Sequence, residues 1–193
     1  MRRSFLPALF VAVLLFLPTG SANAQSLKQL LDKGPIVQIF YHPNGKFKSA
    51  VGTAYIKGSP EQVWKVATDF ESYTQFMPQL EYLKVTKREG NIVEVEQKIS
   101  VPGPDPKYSL RFKLDEANKT IDVQYLGGDI KGGKWSYKIT PFEGGSLLVY
   151  DCYSVLPGFF SKVEGPEQTV TIGVNAASAL AVVRATKERV EGK

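Results

Sequence analysis

The chain has 193 residues, of which 43% are hydrophobic and 22% charged, and a formal net charge of +5. That is the length of one ordinary domain with a short appendage, and the composition excludes disordered, fibrous and strongly nucleic-acid-binding chains. One cysteine and one histidine exclude an intramolecular disulfide and fall short of a structural zinc site, so neither a metal nor a cofactor is expected.

The first 24 residues read as a cleaved secretory signal. Arg2 and Arg3 form a basic start, Phe5 to Leu17 is an apolar run, and Ala22-Asn23-Ala24 has the small-x-small form of a cleavage site. The run is shorter than the roughly 20 residues a transmembrane helix needs. Gln25 follows the cut, where a lipoprotein would carry cysteine. Arg2-Arg3 also resembles a twin-arginine signal, but the strongly apolar run fits the Sec route better. A periplasmic or secreted location is expected, and losing both arginines lowers the net charge by two.

Residues 25–49 are expected to add a small helix and an extra strand before the main domain at 50–193. Ser26 to Gln29 is a capping-box pattern, with Leu27, Leu30 and Leu31 as the stripe and Gly34-Pro35 as the stop. Ile36 to Tyr41 reads as a strand, Pro43-Asn44-Gly45 as a turn and Phe47 to Lys57 as a second strand. Ser59-Pro60-Glu61-Gln62 is another capping box with proline at the first helical position. Asp69 then reads as the N-cap of a further short helix, Phe70 to Phe76, stopped by Pro78. Phe70, Tyr73, Phe76 and Met77 are the apolar side chains this pair of helices offers to an interior.

From Leu80 onward the pattern has period two. Val95, Gln97 and Ile99 alternate with charged residues. So do Tyr108, Leu110 and Phe112, then Val123 and Tyr125, then Trp135 and Tyr137. The last strand runs from Leu147 to Leu156 and carries Tyr150. One wet face and one buried face mean an antiparallel sheet. From Glu167 to about Val190 the chain reads as one long helix with a wide apolar stripe. Val170, Val174, Ala177 and Ala181 share a face, Ile172, Ala176, Leu180 and Val183 lie beside them, and Gly173, Ala176, Ala177, Ala179 and Ala181 make much of it small.

The fold expected is α+β: a curved, seven-stranded antiparallel sheet around a long C-terminal helix, with two short helices after the first core strand. Only the long helix is large enough to cover the apolar face. Aromatic residues on the sheet opposite small residues on the helix either interdigitate or leave a cavity. Hairpin parity puts the loops Pro102–Lys107, Gly127–Gly133 and Pro157–Glu164 at one end. Phe159 and Phe160 in the last of these suit a gate, a transient contact with a membrane surface, or packing under the helix.

The stretch Ser59 to Pro78, with Gly133-Lys134-Trp135, the Gly144-Gly145 turn and Pro157 before the long helix, resembles the START/Bet v 1-like (SRPBCC) superfamily. This is the group of polyketide cyclase/dehydrase and lipid-transport proteins, and the Coq10-type START proteins are the nearest branch. The resemblance implies a helix-grip fold whose cavity binds hydrophobic molecules such as lipids, quinones, sterols or polyketides. The signal peptide and the segment before Gly52 depart from the Coq10 pattern.

For catalysis, Asp151 is the best carboxylate, useful as a general base only if it faces a desolvated cavity. Cys152 has no neighbouring histidine and reads as a small hydrophobe, and His42 lies in a turn. Three readings follow. The first is an exported carrier of a hydrophobic small molecule, with Gln97, Tyr108, Tyr125, Tyr137 and Tyr150 orienting its polar group. The second is a cyclase- or hydrolase-type enzyme using the same cavity. The third is a packed module that binds a protein partner of unknown identity. No nucleic-acid partner is expected.

Overall fold

The computed structural model describes residues 26–100, 105–155 and 168–193. Two N-terminal signals act as the sequence predicts. The Ser26–Gln29 capping box starts α1 (Leu27–Lys33), and the Ser59–Gln62 box starts α2 (Pro60–Thr68). Between them β1 (Ile36–Tyr41) and β2 (Phe47–Ile56) form an antiparallel hairpin. Asp69 departs from expectation, since its side chain makes no capping bond. A single 3-10 turn, Phe70–Ser72, carries the chain into α3 (Tyr73–Phe76). What holds the bend is burial: Phe70 is fully enclosed against Phe112, with ring centres 4.6 Å apart. The Tyr73 hydroxyl also donates back to the Ala67 carbonyl at 2.6 Å.

Six hairpin-linked strands follow: β3 (Leu80–Glu89), β4 (Ile92–Ile99), β5 (Lys107–Asp115), β6 (Thr120–Gly128), β7 (Gly133–Phe142) and β8 (Gly145–Ser154). All pair antiparallel in the order β1-β2-β8-β7-β6-β5-β4-β3. The sheet therefore has eight strands where seven were expected, because β1 joins the edge of the same sheet instead of standing apart from it. Alternation sorts the side chains. Val93, Val95, Leu110, Phe112, Val123 and Tyr137 face the interior and are buried. On the outer face, Glu94 lies opposite Arg111 and accepts two bonds from its guanidinium, which locks this register.

The long helix α4 (Thr169–Glu191) packs on the inner face of β2 and β8. It is long and apolar enough by length and composition to cross a membrane, but Ala179 and Val183 are fully buried against the sheet. Within the wide stripe expected, the buried line runs through Ala179 and Val183, joined by Asn175, Ala185 and Thr186, and not through Val174, Ala177 and Ala181. The reason lies on β2. Gly52 has no side chain, so the helix backbone settles onto it, and a Cβ there would come within 2.5 Å of the Ala179 carbonyl oxygen. The far end of α4 is latched by Lys187, which donates to the Tyr55 carbonyl and to Glu191, while Glu191 accepts from the Lys57 N–H.

The β6–β7 loop is held at one end of the sheet. The Lys107 N–H donates to Asp129, the Asp129 N–H to the Lys107 carbonyl, and the Lys131 N–H to the Val155 carbonyl. This brings together the expected loop end as far as residue 155. Phe159 and Phe160 lie outside the described residues.

Candidate functional site

Where α4 leaves the sheet, its Ala181 side stands away from β4 to β7, and α3 with the turn after it closes the gap. The space enclosed is a cavity of about 130 Å³. The sheet contributes Gln97 and Ile99 from β4, Tyr108, Leu110 and Phe112 from β5, and Val123 from β6. Trp135 and Tyr137 of β7 and Tyr150 of β8 complete that wall. Tyr73 and Met77 come from the short helical segment, and Ala181 from α4. These twelve of the sequence-predicted lining residues share one space.

Six others are placed elsewhere. Phe70 and Val95 are fully buried in the core behind the wall. Tyr125 pairs with inward Leu110 and packs against the core, but its hydroxyl donates to the carbonyls of Gly128 and Ile130 and it does not line the cavity. Phe76 and Ala177 line a separate outer groove with Leu180 and Arg184, since α4 is rotated to seat Asn175 and Ala179 on the sheet. Val174 packs against the core without lining the cavity. Asp151 also lies apart. Tyr150 and Cys152 point inward, so alternation sends Asp151 to the opposite face, where it lines a groove with Lys48, Asp122 and Lys134. Asp151 therefore does not line the cavity.

Five lining residues had not been singled out: Pro78, Gln79, Leu80, Ser178 and Val182. The first three form the turn between α3 and β3, where Gln79 takes a left-handed φ of 65° and its carbonyl accepts from the Ser100 N–H at 2.7 Å. Pro78 marked the end of a helix in sequence; nothing marked it as a rim. Pro78 and Gln79 are exposed, so the cavity reaches the surface there. Ser178 was hidden among alanines, although it sits one turn after the buried Asn175.

The polar groups of the cavity are concentrated at Tyr73, Tyr108, Tyr137, Tyr150 and Gln97. The Tyr137 and Tyr150 rings are 4.5 Å apart, and both line the cavity with Tyr73. Burial pushes the phenols of Tyr73, Tyr137 and Tyr150 well above the usual range. Burial also raises Tyr108 to about 12, against a smaller opposing effect of its bond to Gln97. Cys152 is raised to about 12 by burial and then by the charge of Asp151, so it is a protonated thiol at neutral pH. The cavity thus offers apolar walls with neutral hydroxyls and one amide, a lining suited to an apolar body with a few polar atoms. Among the described residues, no group of three His, Cys, Asp or Glu is placed to hold a metal ion.

A sheet that grips one helix over such a cavity defines a helix-grip domain of the START/Bet v 1 type. The chain belongs to the polyketide cyclase / dehydrase and lipid transport family, which its sequence matches over residues 56–170. Solved structures agree in fold. A protein from Thermus thermophilus superposes with a TM-score of 0.69 at 18% identity, over 75% of this chain and 98% of its own. A STAR-related lipid transfer protein from Xanthomonas axonopodis gives 0.67 at 15%, over 82% and 94%. The Zhui aromatase/cyclase from a Streptomyces species gives 0.63 at 16%, over 75% and 93%. No curated protein matches the sequence.

Proposed function

We propose that this protein binds and carries a hydrophobic small molecule, a lipid, a quinone or a similar compound, in the cavity between sheet and α4. The observation that carries this reading is the lining itself: apolar walls, a cluster of neutral tyrosines beside Gln97 at one place, and a rim at Pro78 and Gln79. The ligand's polar group meets the hydroxyls of Tyr108, Tyr137 and Tyr150, and its apolar body lies along Leu110, Val123 and Trp135. Drug-sized sites run to roughly 300–1,000 Å³, so a cavity of about 130 Å³ must widen to admit such a molecule. Pro78 to Leu80 and the α4 residues Ala181 and Val182 border the cavity where it reaches the surface, and the widening takes place there. A quinone of the kind bound by Coq10-type proteins falls within this class. Residues 1–24 add a second proposal, that the carrier is exported by the Sec route and works in the periplasm or outside the cell.

The family also contains cyclases, and the hydroxyl cluster would serve that chemistry by polarising a bound carbonyl. The two readings separate in one experiment. Trp64→Phe leaves Trp135 as the reporter on the cavity wall, and its fluorescence is titrated with fatty acids, phospholipids, quinones and an aromatic polyketide. The carrier reading expects saturable binding without chemical change in the ligand, lost when Ala181→Trp fills the space. The enzymatic reading expects conversion of the polyketide, lost in Tyr137→Phe while binding survives. No response to any of these ligands would leave the packed interaction module as the better account.

A further inference from the structure

The two edges of the sheet are built differently. At one edge β3 carries five charged residues, Glu81, Lys84, Lys87, Arg88 and Glu89, and its register with β4 breaks twice, after Leu80 and after Val85. Charges and bulges are the usual means of keeping an edge from pairing with another chain. At the other edge β1 reads Ile-Val-Gln-Ile-Phe-Tyr, without a charge or a proline, and its pairing with β2 is regular up to Phe40. Among the described residues no strand lies beyond it. Phe40 and Tyr41 are 42% and 54% exposed. This strand, like most of β2, precedes the residues that match the family model.

We propose that β1 pairs antiparallel with β1 of a second copy of this chain, joining the two sheets into one across a two-fold axis at Gln38. Residues directly opposite in an antiparallel pair lie on the same face of the sheet, which allows only registers that keep inner residues against inner ones. Centring the axis on Gln38 sets inner Val37 against Ile39 of the second copy and outer Ile36 against its Phe40. The two Gln38 side chains meet on the axis. Every pair is apolar with apolar or amide with amide, and no like charges face each other. A two-fold contact needs this self-complementarity. Val37 and Ile39 already pack on the core, so the inner faces, both α4 helices and both cavities come to the same side of the joined sheet. The proposal is independent of what the cavity binds.

The test is made on the full chain with whatever processing the expressing cell performs. Opposed residues in such a pair have Cα atoms about 4.5–5.5 Å apart, within the reach of a disulfide. Gln38→Cys is therefore oxidised with copper–phenanthroline beside Thr86→Cys, an exposed position on the guarded β3 edge. The other thiol, Cys152, is buried. Gln38→Cys is expected to form a covalent dimer in the majority of molecules and Thr86→Cys only a trace. In sedimentation equilibrium the unmodified protein is expected at twice the chain mass. Gln38→Lys, which puts two ammonium groups on the axis, is expected to return it to one chain mass, and Thr86→Lys is not. Three results would each overturn the proposal: a monomer at every concentration up to the solubility limit, equal cross-linking of the two cysteine variants, or a dimer that survives Gln38→Lys. A β1 edge covered by this chain's own N-terminal segment would show as the first of these.

Discussion

The side-chain amide of Asn175 and the backbone of Ser154 form hydrogen bonds in both directions. The Ser154 N–H donates to Asn175 Oδ1 at 2.8 Å, and Asn175 Nδ2 donates to the Ser154 carbonyl at 2.9 Å. The amide thus does for the end of β8 what a neighbouring strand would do, from within a helix. Asn175 is fully buried, and its remaining N–H donates to the Thr171 carbonyl at 2.8 Å. This bond pair fixes the rotation of α4 and so decides which of its residues reach the cavity.

Replacing Asn175 with alanine orphans both backbone groups of Ser154. Each unmet buried group costs about 1–3 kcal/mol, so Asn175→Ala is expected to lose about 2–4 kcal/mol in urea unfolding. Asn175→Asp, which keeps the acceptor but buries a carboxylate, is expected to rescue little. A loss below about 0.5 kcal/mol, the scale of an ordinary surface change, would remove Asn175 from this role.

Gly52 is the matching position on β2. A methyl group there meets the Ala179 carbonyl, which belongs to helix backbone and has no rotamer to yield. Gly52→Ala is expected to cost about 1–3 kcal/mol by overpacking, with a lowered melting temperature. Gly173→Ala, where an added Cβ meets nothing within 4 Å, is expected to be neutral or slightly stabilising and serves as the control.

The C-terminal latch carries a pH dependence. Burial alone would raise the Glu191 carboxyl, but the bonds from Lys187, the Lys57 N–H and Lys193 outweigh it and bring the pKa from 4.5 down to about 2. A carboxyl depressed in the folded state stabilises above its unfolded pKa and loses that contribution as pH falls. The stability of the protein is therefore expected to drop between pH 4.5 and about 2. Glu191→Gln should reduce stability at neutral pH and flatten the profile across that window. An unchanged slope in the variant would contradict the assignment.

The tyrosine cluster makes the opposite prediction at high pH. Of the nine tyrosines in the chain, Tyr73, Tyr108, Tyr137 and Tyr150 are held protonated above the ordinary value of 10 by burial. Their contribution to stability is whole below pH 10 and is lost as pH rises toward the folded values. Ultraviolet titration is expected to show one group of phenols ionising near the ordinary value and a second appearing only at higher pH or on unfolding. Tyr137→Phe and Tyr150→Phe should each remove one phenol from the late group.

Much of this architecture was legible in the chain. Period-two alternation from Val93 to Ile139 placed the inward aromatics of those strands, because a side chain's face on a strand follows from parity alone, whereas the last strand, apolar on both faces, did not show which way Tyr150 points. The Ser59–Gln62 capping box likewise placed the start of α2. The rotation of α4 was not legible. Its sequence is apolar on several sides, and hydrophobicity cannot choose among stripes of alanine and valine. What chooses is a missing Cβ at Gly52 and the amide at Asn175, two features far apart in sequence that become complementary only in the fold. Tyr125 sits on the inner face as parity predicts, opposite Leu110, but its hydroxyl is taken by the Gly128 and Ile130 carbonyls, a loop contact that no strand periodicity shows. The rim at Pro78 to Leu80 was out of reach, since a turn residue has no periodicity to show which way it faces.

The central claim is that the cavity holds a hydrophobic molecule, and native mass spectrometry of the protein purified from its own host tests it most directly, followed by solvent extraction of whatever is bound. The account predicts a stoichiometric apolar adduct that is extractable, and that is absent from a folded Ala181→Trp variant prepared in the same way. A protein that emerges at its bare mass, and whose melting temperature is unmoved by the lipid and quinone panel, would contradict it.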